Sequence, residues 1–168
     1  MNFNKIWKEK KSFLLTKNNI YLLIFIIIIF AADRYVKLLV LNKSNLSSYI
    51  VNDYLNIDLI WNTGIGFGLL STGTNLIYNS ISFLVGTVIL ILFYFLFISK
   101  GLDKIIYSLI IGGALGNFCD RIIFKAVPDF IDLHYNSFHW FTFNLADIFI
   151  TIGIITFIMK DFFIKNKI

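Results

Sequence analysis

Long apolar runs with few charges dominate this chain of 168 residues. A helix needs about 20 apolar residues to cross the roughly 30 Å hydrocarbon core of a bilayer. Four segments approach that length, and we number them as predicted spans in chain order: residues 20–41, 76–98, 105–124 and 141–159. The pattern predicts an all-α integral membrane protein, with four transmembrane helices in one membrane domain covering residues 1–168.

The polar segments lie mainly between the first and second predicted spans and between the third and fourth. Residues 49–61 (YIVNDYLNIDLIW) alternate loosely between apolar and polar side chains, a pattern that fits short strands or an interfacial helix. We therefore expect a small, partly β segment outside the membrane, on the same side as the outer ends of the four helices.

Composition and charge support a membrane protein. Hydrophobic residues make up 58% of the chain and charged residues only 15%, whereas soluble domains carry about 25% charged residues. Ten of the fifteen Lys and Arg residues lie in the two tails and in the short link between the second and third spans. Loops rich in Lys and Arg stay in the cytoplasm, so both termini are expected there. The net charge of +5 then reflects topology, and no nucleic-acid partner is expected.

Metal chemistry finds little support in the spacing of possible ligands. Cys119 is the single cysteine, so neither a disulfide framework nor a paired-thiolate site is available. His134 and His139 lie in one short polar stretch without a carboxylate or cysteine at ligand spacing. We expect no metal site.

Ionisable residues within the predicted spans recur at helical spacing near the outer ends. Each costs on the order of 2.5 to 3.5 kcal/mol at the centre of a membrane helix, so such groups persist mainly when they pair or act chemically. The groups that share a helix face are Asp33 with Lys37, Asn117 with Asp120 and Arg121, and Asn144 with Asp147. A bundle locked together by ion pairs is one interpretation. Three polar groups at one depth favour a functional site.

Carboxylates without a nucleophilic Ser or Cys point to acid–base activation of water. Two carboxyl groups about 4 Å apart repel by roughly 4 kcal/mol at an effective dielectric near 20, so one of them keeps its proton. An aspartic protease uses this arrangement: the charged partner takes a proton from water and the neutral partner donates to the scissile carbonyl. Spacing alone selects Asp120 and Asp147 as the pair.

Five motifs in this order resemble the bacterial lipoprotein signal peptidase (type II signal peptidase) family of membrane aspartyl proteases. They are AADRYVK at 31–37, NTGIGFG at 62–68, GGALGNFCDR at 112–121, VPDFID at 127–132 and FNLAD at 143–147. The resemblance implies that the catalytic dyad is Asp129 with Asp147, in place of the pair that spacing selects. It also implies a set of residues that line the substrate pocket or support the dyad: Asp33, Lys37, Asn62, Gly64, Asn117, Asp120, Arg121 and Asn144. Arg34 and Gly66 depart from the usual residues of these motifs.

The resemblance further implies a hydrolase, an aspartic endopeptidase that removes the signal peptide of diacylglyceryl-modified prolipoproteins by cutting before the lipidated cysteine. The expected partners are these substrates, membrane lipids and globomycin-type inhibitors, and no cofactor or metal is implied. The expected location is the bacterial cytoplasmic (inner) membrane, as a multi-pass protein whose active site faces the periplasmic side. The alternatives are a catalytically inactive membrane binding or scaffold homologue and a small transporter, although a transporter needs polar groups along both halves of its helices.

Overall fold

The computed structural model describes residues 16–43, 49–64 and 75–165. Within them, four long helices accompany one antiparallel sheet of four strands. The helices are α1 (Lys17–Lys43), α2 (Asn75–Ile98), α3 (Leu102–Phe124) and α4 (Leu145–Lys165). The strands are β1 (Tyr49–Asn52), β2 (Leu55–Asn62), β3 (Val127–Tyr135) and β4 (Phe138–Phe143).

Helix α3 packs against each of the other three helices. The buried side of α1 repeats every three or four residues, which is the spacing of a single helix face; its buried residues are Asn19, Leu22, Ile26, Ile29, Asp33 and Lys37. Leu22 and Ile26 meet Leu96 of α2 and Ile111 of α3 in an apolar cluster. The same face of α1 therefore changes along its length from apolar contacts to charged ones.

Glycines on α3 allow α1 and α4 to approach closely. A Cβ atom on Gly112 would lie 2.7 Å from the Cβ of Ile29, and one on Gly113 would lie 2.5 Å from the carbonyl oxygen of Ala146. A Cβ on Gly116 would collide with the carboxylate of Asp33. Because real Cβ atoms do not come this close to other atoms, any side chain here would force the helices apart.

The sheet is assembled from two pairs of strands that flank α2 and α3 in sequence. The strand order is β1-β2-β3-β4, and every neighbouring pair is antiparallel. Across β2 and β3, Asn62 lies opposite Val127 and Ile60 opposite Asp129. The turn between β3 and β4 contains Asn136 with φ of 53°, a left-handed conformation that Asn tolerates better than most residues. Residues 49–61 thus form strands, one of the two structures expected there.

The fold is mostly helical with a small antiparallel sheet, which confirms the predicted fold class in outline. By length and composition alone, two helices of the described residues could cross a membrane: Tyr78–Ile98, with a mean hydropathy of 2.8, and Leu102–Phe124. The predicted start of the fourth helix at residue 141 is wrong, because β4 continues to Phe143 and α4 begins at Leu145. Apolar residues lie on both sides of Asn144, so the end of the strand and the beginning of the helix looked like one span.

Candidate active site

Asn144 and Asp147 cap the first turn of α4 reciprocally. The backbone N–H of Asp147 donates to Oδ1 of Asn144 at 3.2 Å, and the backbone N–H of Asn144 donates to Oδ2 of Asp147 at 3.1 Å. This is the geometry of a capping box, built from Asn and Asp instead of Ser and Glu. The carboxylate of Asp147 therefore lies at the positive end of the helix dipole.

Asp33 of α1 satisfies another free amide at the start of α4. Its Oδ1 accepts a hydrogen bond of 2.9 Å from the backbone N–H of Ala146. Ala146 and Asp33 are both fully buried, so water cannot replace Asp33 as the acceptor for this N–H. Asp33 thus fixes the first turn of α4, and with it Asp147, against α1.

Asp129 lies in β3 and points toward the same helix end. Its Oδ1 accepts 2.6 Å from the side-chain amide of Asn144, and its Oδ2 accepts 2.9 Å from that of Asn62, at the end of β2. Burial, together with the nearby charge of Asp147, raises the pKa of Asp129 to about 6. Asn144 contacts both Asp129 and Asp147, and we call these two aspartates the amide-held pair.

Asn117 of α3 connects the amide-held pair to a group of charges. Its side-chain N–H donates to Oδ1 of Asp147 at 2.8 Å, while its Oδ1 accepts 2.8 Å from Nζ of Lys37. The ammonium of Lys37 can only donate, so it fixes which end of the Asn117 amide faces the aspartate.

Lys37 lies at the centre of four buried or nearly buried charges, which we call the ionic cluster: Asp33, Arg34, Lys37 and Asp120. Its Nζ is 2.8 Å from Oδ2 of Asp33 and 2.7 Å from Oδ2 of Asp120. Arg34 pairs with the other oxygen of Asp120. Two cations thus face two carboxylates, as a buried ion pair requires.

Arg121 reaches the segment that follows β2. Its guanidinium donates to the carbonyl oxygen of Gly64, and its own carbonyl accepts 3.0 Å from the hydroxyl of Tyr78. The N–H of Gly64 donates 2.9 Å to Oδ1 of Asn62, which holds the Asn62 amide toward Asp129. Nη1 of Arg121 is buried and has no hydrogen-bond partner among the described residues.

All ten residues singled out from the sequence lie in these connected groups, with one regrouping. Asp120, which spacing selects as the partner of Asp147, instead has both carboxylate oxygens in contact with Lys37 and Arg34. Gly66 and the first four lysines of the amino-terminal tail lie outside the described residues.

Two contributors to the site escaped the sequence arguments. Tyr78 lies in a predicted span that also contains Asn79, Ser80 and Ser82, so its hydroxyl gave no distinct signal. The backbone amide of Ala146 has no sequence signal at all. The expectation that the histidines lack a carboxylate is wrong, since His139 Nδ1 lies 2.8 Å from Oδ2 of Asp132 on the neighbouring strand.

Comparisons with known proteins relate this chain to one enzyme family. The signal peptidase (SPase) II family, Peptidase_A8, matches residues 25–163. A lipoprotein signal peptidase of Pelagibacter ubique (strain HTCC1062) is 45% identical over 153 residues, which are 89% of this chain and 92% of the relative. One from Francisella tularensis subsp. novicida (strain U112) is 34% identical over 146 residues, 84% of this chain and 91% of that protein.

Solved structures give the same result. A bacterial membrane enzyme is 29% identical, with a TM-score of 0.68, over 83% of this chain and 86% of its own. Another is 27% identical with the same TM-score, covering 83% of this chain and 91% of that one. Since the family match spans most of the described residues and the relatives align over nearly their whole length, this chain belongs to the signal peptidase II family.

Proposed function

We propose that this protein is a membrane aspartic endopeptidase that removes signal peptides from diacylglyceryl-modified prolipoproteins, cutting before the lipidated cysteine. Membership of the signal peptidase II family supports the activity and the substrate class. The observation that carries the assignment of residues is the amide-held pair. Asn144 hydrogen-bonds to both Asp129 and Asp147, so two carboxyl groups meet where the sheet joins α4.

The two aspartates take different roles because their surroundings differ. Asp147 lies at the N-terminus of α4, where negative charge is favoured, and acts as the base that takes a proton from water. Asp129, whose pKa is raised to about 6, keeps its proton more readily and donates it to the scissile carbonyl oxygen. The water oxygen then bonds to the carbonyl carbon. When the tetrahedral intermediate collapses, the peptide C–N bond breaks and the proton held by Asp147 passes to the leaving amine. One hydroxyl of the intermediate returns its proton to Asp129 as the C=O bond re-forms, so both aspartates regain their starting states.

Arg121 supplies a donor for the substrate. Its buried Nη1 lacks a hydrogen-bond partner among the described residues, although the guanidinium is held in place by Gly64 and lies 5.9 Å above the ring of Tyr78. A buried, unpaired N–H is costly unless it is used. Substrate carbonyl oxygens near the scissile bond would accept from it.

The distribution of polar and apolar surface supports four membrane-spanning helices. Large apolar side chains are exposed along them, for example Ile27 at 62%, Phe83 at 79% and Leu90 at 71%, while Asp33 and Lys37 are fully buried. A water-soluble monomer rarely exposes so much contiguous apolar surface. With the Lys-rich tails and the α2–α3 link in the cytoplasm, this topology makes a multi-pass inner-membrane protein whose amide-held pair faces the periplasm.

The acyl chains of the substrate act by positioning the scissile bond. A precursor already in the bilayer gains little from further burial of its chains, so the lipid contributes mainly by fixing the peptide near the aspartates. We expect the unmodified precursor to be cut far more slowly than the diacylglyceryl form in the same bilayer. Globomycin-type inhibitors should block cleavage by occupying the region of Asp129 and Asp147.

Cleavage of a diacylglyceryl prolipoprotein by the purified protein in vesicles tests the proposal. The matched comparison is the same precursor without its lipid, with and without saturating globomycin. Rapid, globomycin-sensitive cleavage of the lipidated form supports the peptidase. Absence of cleavage by correctly folded protein would favour an inactive scaffold homologue or a small transporter, and equal rates for the two precursors would refute the role of the lipid.

A further inference from the structure

One face of the β3–β4 hairpin gathers the only two histidines of the chain and an aspartate. Asp132 and His134 are two residues apart on β3, so their side chains project from the same face of the sheet. His134 lies directly opposite His139 in the register of β3 with β4. Strand pairing therefore brings His139 next to Asp132 and His134, although their spacing along the chain does not suggest a ligand set.

The distances between their side chains are close to those of a metal site. Nδ1 of His139 is 2.8 Å from Oδ2 of Asp132, and Nδ1 of His134 is 4.0 Å from the same oxygen. One ligand atom from each of the three residues lies within 4.8 Å of the other two. A tetrahedral ion with metal–donor bonds of about 2.0 to 2.1 Å separates its donors by about 3.4 Å, so small side-chain rotations suffice.

Two polar atoms at this group of side chains have no hydrogen-bond partner in the part of the chain that the structure describes. Nδ1 of His134 is buried without a hydrogen-bond partner among the described residues, and so is Oδ1 of Asn56, which lies opposite Asp132 on β2. Asp132 itself is only 3% exposed. Buried acceptors without partners are rare in proteins, and a bound cation is one of the arrangements that explains them.

We propose that Asp132, His134 and His139 bind a divalent transition-metal ion of the Zn²⁺ type. Two imidazoles and one carboxylate form a donor set suited to Zn²⁺, with a remaining position for water. The side chain of His139 is 55% exposed, so the ion can enter from the aqueous side of the sheet. The two His rings, now stacked with centroids 5.3 Å apart, present their edges to the carboxylate.

The metal site and Asp129 lie on opposite faces of the same hairpin. Asp129 and Asp132 are three residues apart on β3, an odd spacing that directs their side chains to opposite faces. A bound ion would join β3, which carries Asp129, to β4, which leads into Asn144. Its role is therefore to brace the hairpin, and peptide hydrolysis needs no metal at this position.

Zinc titration of the full-length protein in detergent, purified through a tag without histidine, tests the proposal. The readouts are the Zn²⁺ stoichiometry and affinity, from competition with a chromogenic chelator, and the shift in melting temperature on adding Zn²⁺. We expect one saturable ion per chain and a higher melting temperature, because a ligand that binds only the folded state stabilises it. His134→Ala and His139→Ala should each weaken binding at least about tenfold. His139→Cys should bind Zn²⁺ more tightly than His139→Ala, because a thiolate is also a zinc ligand.

Phe138→Ala is the matched control, since it alters an exposed side chain of the same hairpin without removing a ligand. Retained binding in this variant, together with loss in the histidine variants, supports the site. Absence of saturable binding by the wild type, binding that survives both histidine substitutions, or equal loss in Phe138→Ala would overturn it. Because binding is read without substrate, it should also persist in Asp147→Asn, so the outcome is independent of the proposed peptidase activity.

Discussion

The ionic cluster and the amide-held pair are neighbours, linked through Asn117, yet they hold their carboxylates in different ways. In the ionic cluster, Lys37 and Arg34 lie against both oxygens of Asp120, and Lys37 also contacts Asp33. The hydrogen bonds described for the amide-held pair all come from neutral amide N–H groups. Amide donors orient a carboxylate without cancelling its charge, whereas cations cancel it.

This difference separates groups that support structure from groups that exchange protons. Removing the cation partner of a buried carboxylate leaves a charge without compensation. Two carboxylates held by amides still repel each other, so a proton on one of them relieves the repulsion. The following predictions test whether the two groups behave in these two ways.

The largest effect should follow from substituting either member of the amide-held pair. Asp129→Asn and Asp147→Asn each remove one half of a proton relay with little change in volume. Cleavage of a diacylglyceryl prolipoprotein should fall by about 10² to 10⁴, the usual contribution of acid–base groups. Both variants should elute from size-exclusion chromatography as a single peak at the wild-type position, which shows that they are folded. More than about a tenth of wild-type turnover in either variant would contradict the assignment.

Removing the central cation should mainly affect folding. Lys37→Met leaves two buried carboxylates without their shared partner, and we expect the free energy of unfolding to fall by about 3 to 5 kcal/mol. The matched control is Lys160→Met, which breaks a partly exposed pair with Asp103 and should cost about 0 to 1 kcal/mol. Denaturant unfolding in detergent measures both variants. Similar losses for the two lysines would show that the ionic cluster has no special structural role.

A smaller effect concerns the pH dependence of stability. Because the folded-state pKa of Asp129 is raised to about 6, the folded protein binds this proton more tightly than the unfolded chain does. The stability that this proton contributes is present at pH 4 and is lost as the pH rises through 6. Asp129→Asn cannot titrate, so its free energy of unfolding relative to the wild type should increase between pH 4 and 8, by up to about 3 kcal/mol. Melting temperatures of the two proteins across this pH range follow the change.

The same pH series on Asp53→Asn provides the control, because Asp53 is exposed in the turn between β1 and β2. That variant shows how the measurement responds to pH when an exposed carboxylate is removed. A constant difference between Asp129→Asn and the wild type would mean that Asp129 titrates equally in the folded and unfolded states.

The smallest effect on catalysis should come from Asp120. Asp120→Asn weakens its pairs with Lys37 and Arg34, so the folded yield should fall, but cleavage per folded molecule should stay within about tenfold of the wild type. Activity is normalised to the monodisperse fraction. Complete loss of activity at normal yield, together with residual cleavage in Asp129→Asn, would exchange the roles of the two aspartates.

The sequence predicted four helices because long apolar runs with few charges leave few other structures. It did not predict where α4 begins, since the apolar run of β4 continues into the helix and only Asn144 marks the boundary. The strands at residues 49–61 stayed one of two alternatives, because their alternation is loose. Their partner, β3, lies more than sixty residues away in sequence.

The polar groups show a similar limit. Spacing on a helix correctly placed Asp33 with Lys37, since residues four apart share a face. It did not show that Asp120 pairs with Lys37 and Arg34, or that Asp129 reaches the end of α4 through strand pairing that no helical period encodes. The motif resemblance groups Asp129 with Asp147, and Asn144 contacts both of them. His139 and Asp132 were missed as a pair for the same reason, since they lie on adjacent strands.

The glycines of α3 reverse the usual logic of alanine scanning. Such a scan normally deletes atoms and measures what they contributed, but at Gly112, Gly113 and Gly116 an alanine adds an atom where Ile29, Ala146 and Asp33 already lie. Asp33 thus reaches the first turn of α4 only because these three positions of α3 carry no Cβ atom. Tolerance to mutation along α3 should be lowest at its smallest residues, so a survey that ranks positions by side-chain size would overlook them.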